Sequence, residues 1–175
     1  MMRRWIAPLA AGLGAVVLGY LGTMWFTPSL VMDRAWIGMS ELAGVNHMLH
    51  APLSNAGRRG IVRPSPDLAY SLCPFDLGNG PVLVHAEAVP DRYWSITVFD
   101  NVTNAVFTKS DRDTGGKNAD VALVRSGQSV PAGIETVELP DDKGIALVRV
   151  LMHDRSEIAE IQPIRAKSFC KVFDK

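Results

Sequence analysis

Three observations predict a mainly β protein, in which an antiparallel β-sandwich or jelly-roll-like domain follows an N-terminal transmembrane helix and carries short flanking helices. The chain begins with a long stretch, residues 5–32, that contains no charged residue. From Ala69 onward, apolar and polar residues alternate in short runs, which is the period of a strand with one buried face. Turn residues divide these runs at spacings near ten residues, as is typical of sandwiches and barrels.

The uncharged stretch predicts a transmembrane helix over residues 5–27, behind a cytoplasmic tip of residues 1–4. About 20 apolar residues in a helix span the hydrocarbon core of a bilayer. Arg3 and Arg4 precede the stretch and no comparable basic cluster follows it closely, so the N-terminus is expected in the cytoplasm. A cleaved signal peptide is the alternative, but its shorter apolar region and its Ala-x-Ala-like cleavage site are both missing. We therefore expect an uncleaved, single-pass anchor.

Small side chains recur at every fourth position of this helix and form one continuous stripe, made of Ala7, Ala11, Ala15, Gly19 and Thr23. Such stripes let two helix backbones approach closely in lipid, where packing drives association. The stripe predicts a helical partner, either another membrane-anchored subunit or a second copy of the chain. The alternative is that alanine and glycine are simply common in membrane helices.

Residues 28–62 are predicted to form an amphipathic helix and a linker. Thr27 followed by Pro28 is typical of a helix N-cap and first helical position, so a second helix is expected to begin there. Apolar residues between Ser29 and His50 fit one helical face. Proline and glycine residues after Ala51 predict an irregular linker.

Residues 63–175 are predicted to form the β-sandwich domain, in which seven runs of β-branched and aromatic residues are expected to be strands. These runs are Ala69 to Phe75, Val82 to Val89, Tyr93 to Asp100, Ala105 to Lys109, Val121 to Arg125, Ile134 to Leu139 and Ile145 to Met152. After them, the sequence predicts one short helix that ends before Pro163 and a packed tail.

Charge and motif content argue against several classes of function. The 18 lysines and arginines balance 18 aspartates and glutamates, so no basic surface is available to bind nucleic acid. The chain contains no Gly-x-Ser-x-Gly elbow, His-Glu-x-x-His motif, phosphate loop or dinucleotide fingerprint. His47 and His50 could share one helical face, but two ligands are too few for a metal site. We therefore expect no metal, no cofactor and no catalytic role.

Cys73 and Cys170 are the only cysteines of the chain. In an oxidising compartment they can form a disulfide that ties the first long strand to the C-terminal tail. Closing a loop of about 100 residues would stabilise the domain by roughly 4 kcal/mol in the chain-entropy model. Cys73 also fits an apolar strand as a free core residue, so the sequence leaves both states open.

Several motifs along the strands occur in an order and at spacings that carry a family resemblance. After the stretch from Pro64 to Ser71 they are Gly80-Pro81-Val82-Leu83-Val84, Asp91-Arg92-Tyr93-Trp94-Ser95-Ile96-Thr97-Val98-Phe99-Asp100, Asn104 and Thr114-Gly115-Gly116. From about Arg63 to Phe169 the chain resembles the domain of unknown function 1254 family, in a short membrane-anchored form. The resemblance implies a β-sandwich-like fold and an uncharacterised role. It also implies a companion, because larger relatives look like fusions to a second domain, the domain of unknown function 1214.

One departure from the family pattern affects a polar cluster. Where the family typically has Asn-Asn-Asp-Thr-Leu-Tyr-Ser, residues 65–71 read Ser-Pro-Asp-Leu-Ala-Tyr-Ser, so both amides and the threonine are missing. The polar side chains that could still line a small-ligand pocket between the sheets are Asp67, Tyr70, Asp91, Arg92 and Tyr93. Arg92 could hold a ligand carboxylate with two hydrogen bonds, or it could pair with a neighbouring aspartate.

Two functional hypotheses follow. In the first, the chain is an accessory subunit of an envelope complex in a bacterial inner membrane, and its periplasmic C-terminal domain pairs with the companion domain. In the second, the domain binds a small ligand, or is a weak hydrolase, through a pocket between the sheets. The lipid bilayer is a partner in both.

Overall fold

The computed structural model describes residues 3–54 and 64–173, with side chains from Ile6 onward. In chain order its elements are α1 (Arg3–Ala43), β1 (Leu49–His50), β2 (Leu68–Asp76), β3 (Val82–Ala86), β4 (Trp94–Phe99), β5 (Ala105–Ser110), α2 (Asp111–Thr114), β6 (Ala119–Arg125), β7 (Glu135–Leu139), β8 (Lys143–Leu151), α3 (Ile158–Arg165) and β9 (Phe169–Val172). The protein is therefore mainly β, with one long N-terminal helix and short further helices, as the sequence predicts.

The strands form two sheets. The first sheet has the strand order β1-β2-β8-β4-β5, and the second has the order β7-β6-β3-β9. All seven strands predicted from the sequence are confirmed. The predicted antiparallel arrangement holds for every pair except β6 and β7, which run parallel. The sequence does not predict β1 and β9, because runs of two and four residues are too short to show alternation.

One apolar core fills the space between the two sheets. The strands alternate so that one set of side chains points inward and is excluded from solvent. Fully buried core residues come from both sheets and include Phe75, Trp94, Val148, Val84 and Leu123. The outer face of each sheet therefore carries the residues at the intervening positions.

A disulfide joins the two sheets. Cys73 on β2 is bonded to Cys170 on β9, across a Cα–Cα distance of 6.2 Å and a sequence separation of 97. Both cysteines are buried in the core. Of the two states that the sequence leaves open, the structure has the bridge. Strand β9 is thus held by hydrogen bonds to β3 and by a covalent bond to the opposite sheet.

Helix α1 continues without a break through Pro28, so the predicted start of a second helix at this residue is wrong. Thr27 does not cap a new helix. Its hydroxyl donates to the carbonyl oxygen of Thr23 at 2.6 Å, within the same helix. Pro28 removes one backbone hydrogen bond, but the packing of the following turns against the first sheet outweighs this loss.

The C-terminal end of α1 also differs from the prediction. The helix ends at Ala43, and Gly44 follows in the left-handed conformation, with a φ of 83° and its N–H donating to the carbonyl oxygen of Ser40. Residues 49–50, which the sequence predicts as helical, pair with β2 as strand β1 instead. The predicted linker lies partly outside the described residues.

Helix α3 passes through Pro163, so the prediction that it ends before this residue is wrong. Arg165 in its last turn explains the continuation. The buried guanidinium donates to the carbonyl oxygens of Tyr70 at 3.2 Å and Ala51 at 3.1 Å, and to Gln162 Oε1 at 2.6 Å. These bonds hold the last turn of the helix against the edge of the first sheet.

Candidate functional site

The N-terminal half of α1 is an exposed apolar surface. Its side chains between Ile6 and Phe26 are largely uncovered, and the exposed fraction reaches 68% for Leu13 and 80% for Trp25. Among the described residues, α1 is the one helix that is long and apolar enough to cross a membrane. By length and composition it fits a single-pass anchor or a signal sequence.

The predicted small-residue stripe lies on this exposed half. Ala7, Ala11, Ala15, Gly19 and Thr23 are all exposed. A Cβ atom added to Gly19 would meet nothing within 4 Å, and the Thr23 hydroxyl donates within the helix to Gly19 O at 2.7 Å. The stripe is therefore sterically open. Its packing against another helix stays a prediction.

The C-terminal half of α1 packs on the outer face of the first sheet. Met32 and Met39, about two helical turns apart, are buried and pack with Ile145 of β8. Trp36 lies between them and donates from Nε1 to the carbonyl oxygen of Phe75 at 3.0 Å. The same helix that presents apolar side chains outward in its first half therefore buries them against protein in its second half.

Polar contacts reinforce this packing at the end of the first sheet. The Lys143 ammonium lies 4.5 Å from the centre of the Trp36 ring, within the range of a cation–π interaction. Asn46 is buried in a left-handed conformation with a φ of 60°. Its side chain accepts from Asp76 N at 2.8 Å and donates to Asp76 O at 3.1 Å. We call Met32, Trp36, Met39 and Asn46, with their sheet contacts, the helix–sheet junction.

A cavity of about 520 Å³ lies at one end of the first sheet, where the turn between β3 and β4 meets the end of β5 and α2. Its lining residues are Val89, Pro90, Asp91, Arg92, Tyr93, Asp111, Arg112 and Gly116. We call it the turn cavity. It brings together three of the five residues that the sequence predicts for ligand binding, and it lies at the strand ends, outside the apolar core between the sheets.

Arg92 is already paired on one wall of the turn cavity. It forms an ion pair with Glu157 and lies 3.8 Å from Glu160. Burial alone would raise the pKa of Glu157, but the backbone N–H of His153 and the charge of Arg92 outweigh it, and the pKa is lowered. Arg92 therefore pairs with glutamates from the start of α3 and not with an aspartate at a strand end.

The other polar groups of the turn cavity are less well paired. Asp111 Oδ1 is buried without a hydrogen-bond partner among the described residues, and Arg112 is exposed. Asp91 has a left-handed φ of 56°, and Tyr93 is 40% exposed. The cavity can offer a small polar molecule hydrogen bonds of both kinds. The described residues that line it include no serine, cysteine or histidine, and the nearby His153 contacts Arg92, with Nδ1 3.3 Å from Nη1.

The remaining two predicted ligand residues lie elsewhere. The Tyr70 hydroxyl accepts from the backbone N–H of Ser65 at 2.9 Å. The main chain of Tyr70 pairs with β8, and its carbonyl oxygen accepts from Ala51 N, just after β1, at 3.0 Å. Asp67 is exposed, and its carbonyl oxygen accepts from Met152 N at 2.8 Å. Both residues hold the start of β2 in place and do not line the turn cavity.

A second polar cluster, on the outer face of the second sheet, was not predictable from local sequence. His85 Nδ1 lies 2.7 Å from Asp120 Oδ1, and its Nε2 lies 3.1 Å from Glu87 Oε2. The imidazole stacks on the Phe169 ring at 4.9 Å. Burial lowers the pKa of His85, but hydrogen bonds to the two carboxylates and their charges outweigh it and raise the pKa. We call these four residues the His85 cluster.

The His85 cluster assembles only through strand pairing. His85 faces Asp120 across β3 and β6 and faces Phe169 across β3 and β9, so residues far apart in sequence become neighbours. Asn118 and Lys167 also contact Glu87, at 2.8 Å and 3.5 Å. Among the described residues, no three His, Cys, Asp or Glu side chains are arranged so that they could hold a metal ion. The ion pair of His85 with Asp120 joins β3 to β6, and the stacking of His85 on Phe169 adds a side-chain contact between β3 and β9.

These features define a class of protein, namely a two-sheet, mainly β domain attached to a long apolar helix. A family model described as a protein of unknown function (DUF1254) matches residues 45–171. The chain belongs to this family, and the resemblance carried by the strand motifs is confirmed. None of the curated proteins matches the chain.

Among the solved structures that are similar to this chain, two come from different bacteria. The VPA0106 protein from Vibrio parahaemolyticus aligns with a TM-score of 0.61 and 16% identity, over 83% of this chain and 37% of its own. A putative uncharacterized protein from Burkholderia cenocepacia aligns with a TM-score of 0.46 and 14% identity, over 64% of this chain and 34% of its own. The first likeness supports the fold. This chain spans little more than a third of the length of that larger protein.

Proposed function

We propose that the chain is a non-catalytic, membrane-anchored subunit whose β domain lies on the periplasmic side of a bacterial inner membrane and pairs with a companion domain. The observation that carries this proposal is the continuity of α1. One unbroken helix runs from the exposed apolar half into the helix–sheet junction. The domain is thereby held in a fixed position relative to the anchor.

The distance along α1 supports a domain that lies close to the membrane surface. Phe26 closes the strongly apolar half, and Met32, the first buried residue of the junction, follows six residues later. At 1.5 Å per residue this is about 9 Å along the helix axis. A flexible linker would let a tethered enzyme sample a large volume, whereas this short helical connection favours a fixed place in an assembly.

Two further observations favour a companion. The chain spans 37% of a larger protein with a similar fold. A separate subunit could therefore supply the counterpart of the remaining part of that larger protein. The small-residue stripe offers an open face for close helix packing in lipid. The domain of unknown function 1214, to which family relatives look fused, is the companion we propose.

Topology is the first test. Alkaline phosphatase fused after Lys175 should be active in an intact bacterial host, because this enzyme folds only outside the cytoplasm. Mass spectrometry of the mature protein should also show that its first thirty residues are retained. Activity of a cytoplasmic reporter at the same position, or loss of those residues, would contradict the proposal.

Assembly is the second test, with leucine substitutions on two faces of the anchor. Ala11→Leu, Ala15→Leu and Gly19→Leu together should abolish cross-linking to the companion or to a second copy in gentle detergent. Ala10→Leu with Val17→Leu, on the opposite face of the helix by its 100° rotation per residue, is the control and should leave cross-linking intact. A monomer in all three proteins would count against an assembly role.

The second candidate function is small-ligand binding in the turn cavity, either alone or followed by slow hydrolysis of the bound ligand. The gathering of Asp91, Arg92 and Tyr93 around an unpaired, buried Asp111 oxygen favours it. Hydrolysis of 4-nitrophenyl acetate by the purified chain should then fall when Asp111 becomes asparagine. Equal rates for the two proteins would remove the hydrolase form of this candidate.

A further inference from the structure

The outer face of the first sheet carries a row of polar residues beyond the helix–sheet junction. Val148 and Val150 point into the core, so Arg149 between them lies on the outer face. Strand pairing places Arg149 opposite Tyr70 of β2 and opposite Ser95 of β4. The row lies on the face of the first sheet opposite to the disulfide, which is in the core, and the His85 cluster belongs to the second sheet.

Arg149 has no carboxylate partner among the described residues, unlike Arg92 and Arg125. Arg165 also has a buried Nε without a hydrogen-bond partner, but it has three acceptors where Arg149 has one. Arg92 pairs with Glu157, Arg125 pairs with Asp142, and Arg165 donates to three oxygen atoms. Arg149 donates from Nη2 to Thr97 Oγ1 at 3.1 Å, while its Nε is buried without a partner. It forms no ion pair with any carboxylate of the described residues. This partly buried guanidinium therefore has no carboxylate of the described residues beside it to balance its positive charge.

Hydroxyl groups lie beside Arg149 on the neighbouring strands β4 and β5. Thr97 is 3% exposed, and its Oγ1 accepts from Arg149 and lies 3.4 Å from Thr108 Oγ1. Ser95 is fully buried, and its Oγ has no hydrogen-bond partner among the described residues. Removing such groups from water without compensation costs free energy. A multi-oxygen anion would supply acceptors to the guanidinium and to the hydroxyl donors at once.

We propose that Arg149, Ser95, Thr97 and Thr108 form a binding site for an oxyanion, a phosphate or carboxylate group, on the outer face of the first sheet. The guanidinium supplies the charge and the hydroxyls supply further donors. Two sources of this chemistry are available, a free anion and the headgroup of an anionic lipid, because α1 packs on the same sheet face. The site is separate from the turn cavity and from the proposed assembly role.

Inorganic phosphate, titrated into the full chain in maltoside micelles, is the first probe. The side-chain N–H resonances of ¹⁵N-labelled arginine report on each guanidinium, and burial of Arg149 Nε slows the exchange of its proton with water. The Arg149 resonance should shift saturably, while that of Arg125, paired with Asp142, should not. No shift with phosphate or with anionic lipid, or equal shifts of all arginines, would overturn the proposal.

Variants separate binding from a structural role of Arg149. Arg149→Gln should weaken phosphate affinity at least about tenfold, as expected for a charge-assisted hydrogen bond, with the Thr97 amide resonance as reporter. Ser95→Ala keeps the arginine and should weaken affinity severalfold in a folded protein. Arg125→Gln is the control and should bind as the wild type does. Unchanged affinity in both Arg149→Gln and Ser95→Ala would overturn the site.

Nanodiscs distinguish the two sources of the anion. In discs that contain phosphatidylglycerol and no free phosphate, a shifted Arg149 resonance would assign the site to a lipid headgroup. A shift only after phosphate is added would assign it to a free anion. Both results support the oxyanion site.

Discussion

The two ends of the chain are attached to the two sheets by different kinds of contact. Near the N-terminus, the helix–sheet junction buries Met32 and Met39 on the outer face of the first sheet. At the C-terminus, β9 joins the second sheet through backbone pairing and the stacking of Phe169 on His85, and the disulfide bonds it to the first sheet. The first attachment is mainly apolar. The second combines backbone hydrogen bonds, a covalent bond and contact with a charged cluster.

The two attachments should respond differently to pH and to reducing agents. Burial of apolar surface does not depend on pH or on reducing agents. A disulfide and a histidine between two carboxylates depend on both. The stability of the helix–sheet junction should therefore not change with pH or reductant, whereas the stability of the β9 attachment should change with both.

The largest expected effect is loss of the disulfide. Cys73→Ala with Cys170→Ala opens a loop closed over a sequence separation of 97 residues, which should lower the free energy of unfolding by about 4 kcal/mol. Urea unfolding followed by tryptophan fluorescence measures this. Reductant should destabilise the wild type by a similar amount and leave the double variant unchanged. Equal stability of the wild type with and without reductant would contradict the role given to the bridge.

A smaller effect is expected at the junction end of the first sheet. A Cβ atom added to Gly144 would lie 2.3 Å from Phe99 O and 2.4 Å from Phe75 Cζ. Gly144→Ala should therefore cost about 2 to 3 kcal/mol of stability through overpacking. Gly38→Ala in α1, where an added Cβ meets nothing within 4 Å, is the control and should not destabilise. Thermal unfolding of the two variants side by side gives the comparison.

Trp36→Phe tests the polar part of the helix–sheet junction. The change keeps most of the ring but removes the hydrogen bond to the Phe75 carbonyl, at an expected cost of about 1 kcal/mol. Trp25→Phe changes a ring that is 80% exposed and should leave the domain's unfolding unchanged. Equal denaturant midpoints for the two variants would show that the Trp36 bond contributes nothing to docking.

The smallest expected effect is a pH dependence from the His85 cluster. Since folding raises the pKa of His85, its stabilising contribution is fully present below the ordinary value of about 6.5 and is lost as the pH rises through the raised pKa. The hydrogen bond to His85 is the main cause that lowers the pKa of Glu87, so that contribution is lost at acid pH. His85→Gln should reduce the change of the unfolding midpoint with pH between neutral and mildly alkaline pH. His47→Gln is the control, and an unaltered profile in His85→Gln would refute the assignment.

Local sequence was sufficient for the strands with one buried face. In β4, Trp94, Ile96 and Val98 alternate with Ser95 and Thr97, and a strand forms there as predicted. The helix boundaries were not local properties. Proline residues predicted a break in α1 and an end to α3. Helix α1 continues because it packs on the first sheet, and α3 continues because a buried arginine in its last turn is held by hydrogen bonds.

The candidate sites were predictable only in part. Asp91, Arg92 and Tyr93 are contiguous in sequence and so remain together in the turn cavity. Tyr70 belongs to β2 and Asp67 directly precedes this strand, and the pairing of β2 with β8 places both away from the turn cavity. The proposed oxyanion site was not predicted, because Arg149, Ser95, Thr97 and Thr108 lie on three different strands and form no sequence motif.

The sequence by itself determined the long apolar helix, the seven alternating strands and the family, because each depends on the order of residues within a short stretch. Tertiary structure decided the course of α1 onto the first sheet, the bond between Cys73 and Cys170, and the grouping of His85 and Arg149 with their neighbours. These features depend on which distant strands pair and in what register. That choice is set by burial of the whole core and not by any local pattern.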